Sequence, residues 1–370
     1  MVADPDIFYM RLALREARKG LGRTSPNPCV GAVIVKDGEV IARGYHKKAG
    51  TPHAEINALG AAILPVAGAT MYVTLEPCNH TGRTPPCSQA ILASGISRVV
   101  AGMVDPNPRV DGSGLATLSA QGVEVRCGVL AEECRQLNQP FIKHITTGRP
   151  WVMLKAGVSL DGRLNYLQGK SGWITGERSL ARVHRLRSHA DAILVGAGTV
   201  HIDDPRLTTR LKSGRGRDPL RVILDGRLST SPQARIYNQG SAAATWVFCR
   251  NDAPLERIDS FLQRGVRIFP VDAGEGGGVS LTQVLDRLGH EGVCSVLVEG
   301  GGRIHGSFLS QRLVDYAYLF YGPLFAGDGG VSLLSGYSVK DRDYAPRLTE
   351  TRCTRLGEDI LLAGRLVYPE

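Results

Sequence analysis

The sequence has no long unbroken apolar segment, and no window approaches the roughly 18 consecutive apolar residues that a transmembrane helix needs. Its first residues are acidic rather than basic and no apolar stretch follows them, so we expect no secretory signal. Cysteine is sparse, with eight residues in 370, which excludes a disulfide-stabilised scaffold. These absences predict a cytoplasmic protein whose thiols are reduced and able to bind a metal.

The net charge of +9 is not concentrated in a basic tail or block. Residues 1–150 contain 16 basic and 12 acidic side chains, and residues 151–370 contain 28 and 23. An excess spread this evenly favours small anions such as phosphates over a nucleic-acid surface. We therefore expect small-molecule ligands, with no nucleic-acid partner and no membrane partner.

Length and composition favour two globular domains. At roughly 150 residues per domain, 370 residues lean towards two. A content of 43% hydrophobic and 21% charged residues is ordinary for an α/β protein. Residues 146–150 form a short turn-forming sequence between two alternating patterns. We predict domains over 1–147 and 148–370.

Helix and strand patterns alternate in both predicted domains. In the first, Asp37-Gly38 is a hairpin signal, and the pattern predicts a central sheet with helices on both faces. Its strands are predicted over 29–35, from Val40, and over 70–75, 98–103 and 123–128, and its helices over 6–19, 53–62, 86–94, 115–120 and 132–143. The second pattern predicts a sheet that is parallel in its middle and antiparallel at its end. Its strands are predicted over 151–156, 192–195, 220–224, 245–249, 266–269, 295–298, 317–321 and 359–362, and its helices near 177–188, 254–263 and 281–288 and after Gly302.

The most specific motif is His53-Ala54-Glu55, followed by Pro77-Cys78 and Pro86-Cys87. Each potential ligand falls where a strand or loop is predicted to become a helix, and a helix N-terminus favours a thiolate. One imidazole and two thiolates suit zinc, and three protein ligands leave a fourth position open for chemistry. A zinc-bound water can have a pKa near ~7, and Glu55 is placed to take its proton.

The insert between the two cysteines leaves one alternative open, and the remaining cysteines are assigned separately. Eight residues separate Cys78 from Cys87, and His80 within this insert would close the metal site if it were a fourth ligand, leaving a structural zinc. The other cysteines lack partners at ligand spacing and are predicted to be packing residues: Cys29, Cys127, Cys134, Cys249, Cys294 and Cys353.

H-x-E followed by P-C-x-x-C is the signature of zinc deaminases acting on nucleobases, and this chain resembles it with one departure, since eight residues instead of two separate its cysteines. With Pro-Asn-Pro-Cys-Val-Gly at 26–31 and the long insert, the chain resembles the bifunctional riboflavin-biosynthesis deaminase–reductase family over nearly its whole length. The resemblance implies a cytidine-deaminase-like three-layer α/β/α domain followed by a dihydrofolate-reductase-like α/β domain. It further implies that His53, Cys78 and Cys87 bind Zn²⁺ and that Glu55 shuttles protons.

The same resemblance suggests substrate contacts in the first domain. Asn27 is expected to contact the pyrimidine, while His46 and Arg83 hold the ribose phosphate. Asn79 departs from the serine expected in this motif, and its side chain still offers hydrogen bonds.

In the second domain, residues 298–304 read as a buried strand that runs into a Gly-rich turn and a helix. Backbone amides there can approach a diphosphate, although a plain tight turn is the alternative. Through the resemblance, the NADPH site is expected to include Gly157, Trp173, Thr199, Asp203, Gly301, Gly302 and Arg303. The expected substrate contacts are Ser171, Arg187, Leu207, Arg210 and Glu299. Arg187 and Arg210 can bind a phosphate bidentately, and Lys155 and Glu299 are candidates for substrate positioning and proton handling.

The resulting prediction is a homo-oligomeric enzyme that uses Zn²⁺ to deaminate a phosphorylated 2,5-diaminopyrimidine and NADPH to reduce its ribosyl side chain to ribityl. One alternative is a deaminase of tRNA or single-stranded nucleic acid, for which the positive charge would be useful. Another is a nucleotide sensor that carries a structural zinc. The second α/β domain argues against the first alternative.

Overall fold

The computed structural model describes residues 4–79, 86–108, 112–214 and 216–369. The chain divides into two units, Met1–Gly148 and Arg149–Glu370, and each has its own sheet and hydrophobic core. Within the described ranges, no helix is long and apolar enough to cross a membrane.

The first unit is built on a five-stranded sheet that begins with the predicted hairpin. Asp37 and Gly38 both have positive φ (51° and 80°), as an Asp-Gly hairpin turn requires. The strands are β1 (Gly31–Lys36), β2 (Glu39–Tyr45), β3 (Thr70–Val73), β4 (Arg98–Ala101) and β5 (Glu124–Cys127). The helices are α1 (Pro5–Ala17), α2 (Ala54–Gly60), α3 (Cys87–Ala93), α4 (Ser113–Ala120), α5 (Ala131–Leu137) and α6 (Gln139–Thr147). In the order β2-β1-β3-β4-β5, β1 is antiparallel to both neighbours and the last three strands are parallel.

Two glycines of the hairpin show that helices cover both faces of this sheet. A Cβ on Gly31 would lie 2.1 Å from a carbonyl oxygen of α1, and a Cβ on Gly44 would lie 2.3 Å from an amide nitrogen of α2. Gly44 is paired with Ala32, so these residues point to one face, whereas Gly31 precedes Ala32 and points to the other. The two helices therefore pack on opposite faces, as a three-layer α/β/α domain requires.

A buried carboxylate anchors α1 to the sheet. Asp6 is 3% exposed and accepts hydrogen bonds from the Arg98 guanidinium (2.8 and 2.9 Å), from Arg126 (2.5 Å) and from the Tyr72 hydroxyl (2.8 Å). The hydrogen bonds from Arg98 lower the pKa of Asp6 far below its ordinary value, although burial opposes the shift.

We expect this cluster to make the first unit sensitive to acid. A carboxyl group whose pKa is lowered by folding stabilises the folded state above its unfolded pKa of about 4, and that contribution is lost as the pH falls through the folded value. Asp6→Asn should lower the free energy of unfolding by roughly 3 kcal/mol at neutral pH and weaken its dependence on pH below about 4. Denaturant titrations at several pH values measure both effects, with Asp37→Asn at the exposed hairpin turn as control. Equal stability of the Asp6 variant and the wild type would contradict the expectation.

The second unit is built on a nine-stranded mixed sheet. Its strands are β6 (Trp151–Val158), β7 (Ala192–Gly196), β8 (Leu220–Leu224), β9 (Thr245–Arg250), β10 (Arg267–Val271), β11 (Ser295–Val298), β12 (Tyr316–Tyr321), β13 (Arg347–Leu356) and β14 (Asp359–Val367). The helices are α7 (Glu177–His189), α8 (Ala197–Asp203), α9 (Leu255–Leu262), α10 (Leu281–His290) and α11 (Gly302–Ser310). In the order β10-β9-β8-β7-β11-β6-β12-β14-β13, the strands are parallel as far as β12 and antiparallel beyond it. The prediction of a sheet that is parallel in its middle and antiparallel at its end is confirmed.

The structure differs from the predicted element order at three places. The helix predicted over 132–143 is two helices that meet at Asn138. Pro140 lies in the first turn of the second helix, where proline is tolerated, and the Asn138 side chain bonds the backbone N–H and C=O of Cys29 (2.8 and 3.1 Å). Strand β13 was not predicted, because it is an exposed edge strand without an apolar stripe. The short helix α8 was not predicted either.

Candidate metal centre and ligand cavity

Three side chains of the first unit meet at one point. His53 directly precedes α2, Cys87 is the first residue of α3, and Cys78 lies in the loop after β3. The Nδ1 atom of His53 is 3.3 Å from the Sγ atom of Cys87 and 3.6 Å from that of Cys78. The three potential ligand atoms all lie within 4.8 Å of one another. One nitrogen and two sulfur atoms at this spacing supply three of the four positions of a tetrahedral zinc ion.

The charge balance of the two thiols fits a divalent cation. The hydrogen bond with Cys87, with a further contribution from His53, lowers the pKa of Cys78 although burial opposes the shift. The hydrogen bond to Cys78, together with burial, raises the pKa of Cys87 well above its ordinary value. The pair therefore accepts one negative charge and resists a second. A cation at the cluster would stabilise both thiolates, so the residues present fit zinc.

Glu55 lies beside this cluster in the first turn of α2. Its side chain is only 3% exposed, and burial raises the pKa of its carboxyl group to about 7. A carboxyl group in this range can accept and return a proton at neutral pH, which is the property required of a proton shuttle.

Asn27 and His46 form a pair next to the cluster. The Nδ2 atom of Asn27 is 3.1 Å from Nε2 of His46, and Nδ1 of His46 is 3.2 Å from the Pro52 carbonyl oxygen. Burial lowers the pKa of His46, so the neutral ring donates from Nδ1 to Pro52 and accepts at Nε2 from the Asn27 amide. The ring lies edge-on to that of His53 at 5.4 Å. Both ring nitrogens of His46 are thus engaged within the protein and the ring positions Asn27, while its contact with the ribose phosphate stays a prediction.

Other predictions for single residues have mixed outcomes. Arg83 and His80 lie outside the described residues. Four of the cysteines predicted as packing residues are buried: Cys29, Cys134, Cys249 and Cys294. The packing prediction is wrong for Cys127 and Cys353, which are exposed because β5 and β13 are edge strands.

One cavity of about 1020 Å³ in the second unit brings together every residue predicted for that domain's site. Its wall includes Lys155, Gly157, Ser171, Trp173, Arg187, Thr199, Asp203, Leu207, Arg210, Glu299, Gly301, Gly302 and Arg303. The cavity is formed where the parallel strands β7 and β11 end, which is where open α/β sheets bind their ligands. Its volume lies at the upper end of the ~300–1,000 Å³ usual for ligand pockets, which suits two ligands.

A buried ion cluster occupies the wall of this cavity. Glu299 follows β11 and accepts two hydrogen bonds of 2.8 Å from the Arg187 guanidinium, and the Lys155 ammonium lies 3.6 Å away. These cations, Arg187 first, lower the pKa of Glu299 to about 2 although burial is the largest single effect and opposes them. Burial also lowers the pKa of Lys155. Nε and Nη2 of Arg187 are thus both bonded to Glu299, while a contact of Arg187 with a phosphate stays a prediction.

Glycines shape the part of the cavity that fits a dinucleotide. A Cβ on Gly300 would lie 2.6 Å from the Ile304 side chain, and one on Gly302 would lie 2.2 Å from the Ser332 carbonyl oxygen. The start of α11 is therefore packed too closely against its neighbours to admit a side chain. A Cβ on Gly198 or Gly301 would meet no atom within 4 Å. Backbone is therefore exposed to the cavity at the starts of α8 and α11, and the exposed Trp173 ring adds an aromatic surface. These features fit the diphosphate and ring of a dinucleotide cofactor.

Two buried histidines of the second unit were missed by the sequence analysis. His184 on α7 accepts the backbone N–H of Arg210 (3.3 Å) and so holds the loop that carries this arginine. His305 on α11 lines the cavity, and burial lowers its pKa to about 4. Neither belongs to a motif, and a polar residue on the buried face of a helix was the sole available signal.

Family models match both units. Residues 4–103 match the cytidine and deoxycytidylate deaminase zinc-binding region, and residues 150–362 match the RibD C-terminal domain.

Individual relatives extend over nearly the whole chain. The riboflavin biosynthesis protein RibD of Bacillus amyloliquefaciens is 40% identical and covers 96% of this chain and 95% of its own length. The structure of Acinetobacter baumannii RibD, form 1, superposes with a TM-score of 0.86 at 34% identity over 99% of both chains. A Thermotoga maritima structure has a TM-score of 0.84 at 38% identity over 98% of this chain and 99% of its own. It is described as a diaminohydroxyphosphoribosylaminopyrimidine deaminase/5-amino-6-(5-phosphoribosylamino)uracil reductase.

Proposed function

Because the chain belongs to the RibD family of bifunctional deaminase–reductases of riboflavin biosynthesis, we propose that its two units act in turn on one phosphorylated pyrimidine. The first unit hydrolyses the 2-amino group of 2,5-diamino-6-ribosylamino-4(3H)-pyrimidinone 5′-phosphate and releases ammonia. The second reduces the ribosylamino group of that product to ribitylamino, which gives 5-amino-6-ribitylamino-uracil 5′-phosphate. The observation that carries the proposal is the His53, Cys78 and Cys87 cluster with a buried carboxyl group beside it.

In the deaminase, zinc would be held by His53, Cys78 and Cys87 and would supply Lewis-acid activation of water. Glu55 accepts a proton from the attacking water and returns it to the ring nitrogen. It then carries a second proton to the departing amine, which leaves as ammonia. Asn27, held by His46, hydrogen-bonds the pyrimidine.

In the reductase, bound NADPH supplies a hydride. The ring-opened form of the ribosylamine carries a C=N bond, and reduction adds a hydride at C1′ and a proton at nitrogen. Lys155 holds the proton, because its ammonium is buried beside Glu299 and burial lowers its pKa, which makes the proton easier to release. Arg210 has no ion-pair partner among the described residues, which leaves its guanidinium to bind the substrate phosphate.

The test is to measure ammonia release and NADPH oxidation on one purified sample supplied with the phosphorylated diaminopyrimidine. We expect ammonia first, and NADPH oxidation that depends on prior deamination. Strongly salt-dependent RNA binding with ammonia released from RNA would instead support the nucleic-acid deaminase. Bound zinc with neither activity would support the sensor.

We expect Glu55→Gln to keep zinc and to lose deamination by roughly 10²–10⁴-fold, because an amide cannot accept and return a proton. Ammonia release and zinc content are measured together, and reduction of the deaminated intermediate should be unchanged. Glu132→Gln, at an exposed position of the same unit, is the matched control. Deamination by Glu55→Gln within a few-fold of wild type would show that this carboxyl group has only a local structural role.

Two further features of the proposal are cellular. We place the protein in the cytoplasm, because two of its metal ligands are thiols that must stay reduced. A homo-oligomer remains a prediction.

A further inference from the structure

The segment that carries Cys78 is attached to α4 on both sides of the ligand. On one side, the Glu76 carboxylate is buried and accepts four backbone N–H bonds, from Asp105 (3.1 Å), Gly112 (3.0 Å), Gly114 (2.8 Å) and Leu115 (3.3 Å). The packing there is direct, since a Cβ on Gly114 would lie 1.9 Å from the Pro77 carbonyl oxygen. The first turn of α4 therefore rests against the backbone that leads into Cys78.

On the other side, Asn79 joins the two thiol-bearing segments. The Ser88 hydroxyl, next to Cys87, donates to Oδ1 of Asn79 at 2.7 Å, and Nδ2 of Asn79 donates to the Thr117 hydroxyl at 2.9 Å. The Thr117 hydroxyl in turn donates to the Ser113 carbonyl oxygen at 2.8 Å. In this series of three hydrogen bonds, each donor atom has one acceptor. The direction of the bonds therefore fixes which end of the Asn79 amide is the oxygen and which is the nitrogen.

We propose, on the basis of the zinc ligands assigned above, that Asn79 is a positioning residue that sets the separation of the Cys78 and Cys87 thiols by linking Ser88 to Thr117. Ser88 is fully buried and its backbone N–H bonds the Cys78 carbonyl (3.1 Å), so the amide bridge and this bond tie the two segments together at adjacent points. The serine expected at position 79 is shorter and has one oxygen for both bonds, whereas the amide reaches Ser88 and Thr117 with two separate atoms. In this chain α4 therefore supports the metal centre through the longer side chain of the asparagine.

The test compares zinc release in variants of the full chain. Asn79→Leu removes both bonds at similar size, and Thr117→Val removes one hydroxyl while keeping the side-chain shape. We expect Asn79→Leu to speed zinc transfer to a chromogenic chelator by roughly 10–100-fold, which is the size of the affinity loss typical when residues that orient metal ligands are replaced. Thr117→Val should act in the same direction but less, and the double variant should add nothing to Asn79→Leu. Thr117→Ser keeps the hydroxyl and should behave as wild type, as should Ser119→Ala, which lies on the same helix outside the chain of bonds.

Cobalt substitution gives a second readout. The d–d absorption bands of Co²⁺ bound to the cluster should shift in Asn79→Leu and Thr117→Val, but not in Thr117→Ser. Wild-type zinc release and unchanged cobalt spectra in Asn79→Leu would overturn the proposal. So would an equal loss of melting temperature in the zinc-loaded and zinc-free forms with unchanged release, which marks a purely structural residue. If Cys78→Ser still bound zinc, the ligand assignment itself would fail, and this outcome is separate from a failure at Asn79.

Discussion

A chain carrying Cys78→Ser is expected to lose its zinc and its deaminase activity together. A neutral hydroxyl is a poor zinc ligand compared with a thiolate, and the remaining pair would lack the charge that holds the cation. The wild type should contain about one zinc per chain, and the variant close to none by atomic absorption. Ammonia release should fall below detection, because the Lewis acid for the water is gone.

The controls separate loss of metal from loss of fold. Cys127→Ser changes an exposed cysteine of the same unit and should keep both zinc and activity. Reduction of the deaminated intermediate by Cys78→Ser should continue, since the second unit has its own core and cavity. Full zinc occupancy in Cys78→Ser would mean that the ligand set is wrong.

Two substitutions in the ion cluster of the second unit are expected to differ in their effect on stability. Lys155→Met removes the weaker partner of Glu299 and leaves the bidentate Arg187 pair intact, so we expect a nearly unchanged melting temperature. Loss of the proton donor should nevertheless slow NADPH oxidation by roughly 10²–10⁴-fold. Glu299→Gln instead leaves two buried cations without their counter-ion, and should cost about 3–5 kcal/mol of stability as well as activity.

Melting temperature and turnover of the deaminated intermediate, measured on the same samples, test this asymmetry. Arg163→Met, which removes a cation paired with the exposed Asp328, is a control for loss of a positive charge in the same unit. A Lys155→Met protein that unfolds as readily as Glu299→Gln would show that the lysine is structural. A stable Lys155→Met protein with normal NADPH oxidation would remove Lys155 from the active site.

Much of the metal centre could be predicted from the sequence, because its ligands lie in a short motif whose residue types have few other uses. The potential ligand atoms of His53, Cys78 and Cys87 lie within 4.8 Å of one another, close enough to share one metal ion. The hydrogen bonds between neighbouring side chains of the site could not be predicted. The resemblance names His46 as a residue of the site, but only the fold places Pro52 and Asn27 against its two nitrogens.

The reductase site shows the same limit. The resemblance named residues that do line one cavity. No local pattern indicates, however, that the Arg187 guanidinium binds Glu299, which lies 112 positions away in the chain. Local pattern also missed β13, because an exposed edge strand is fixed by its hydrogen bonds to β14 and not by an apolar stripe. Long-range pairing, rather than local preference, decided both cases.

The closeness of the two cluster sulfur atoms has a consequence for the metal-free protein. Within 4.8 Å of each other, Cys78 and Cys87 need only a modest movement for a two-electron oxidation to join them as a disulfide, with loss of both thiol protons. An oxidised cluster has no thiolate to offer a cation. Protein that is stripped of zinc and stored in air should therefore regain deaminase activity when a reductant is added before zinc. Zinc added without a reductant should not restore the activity.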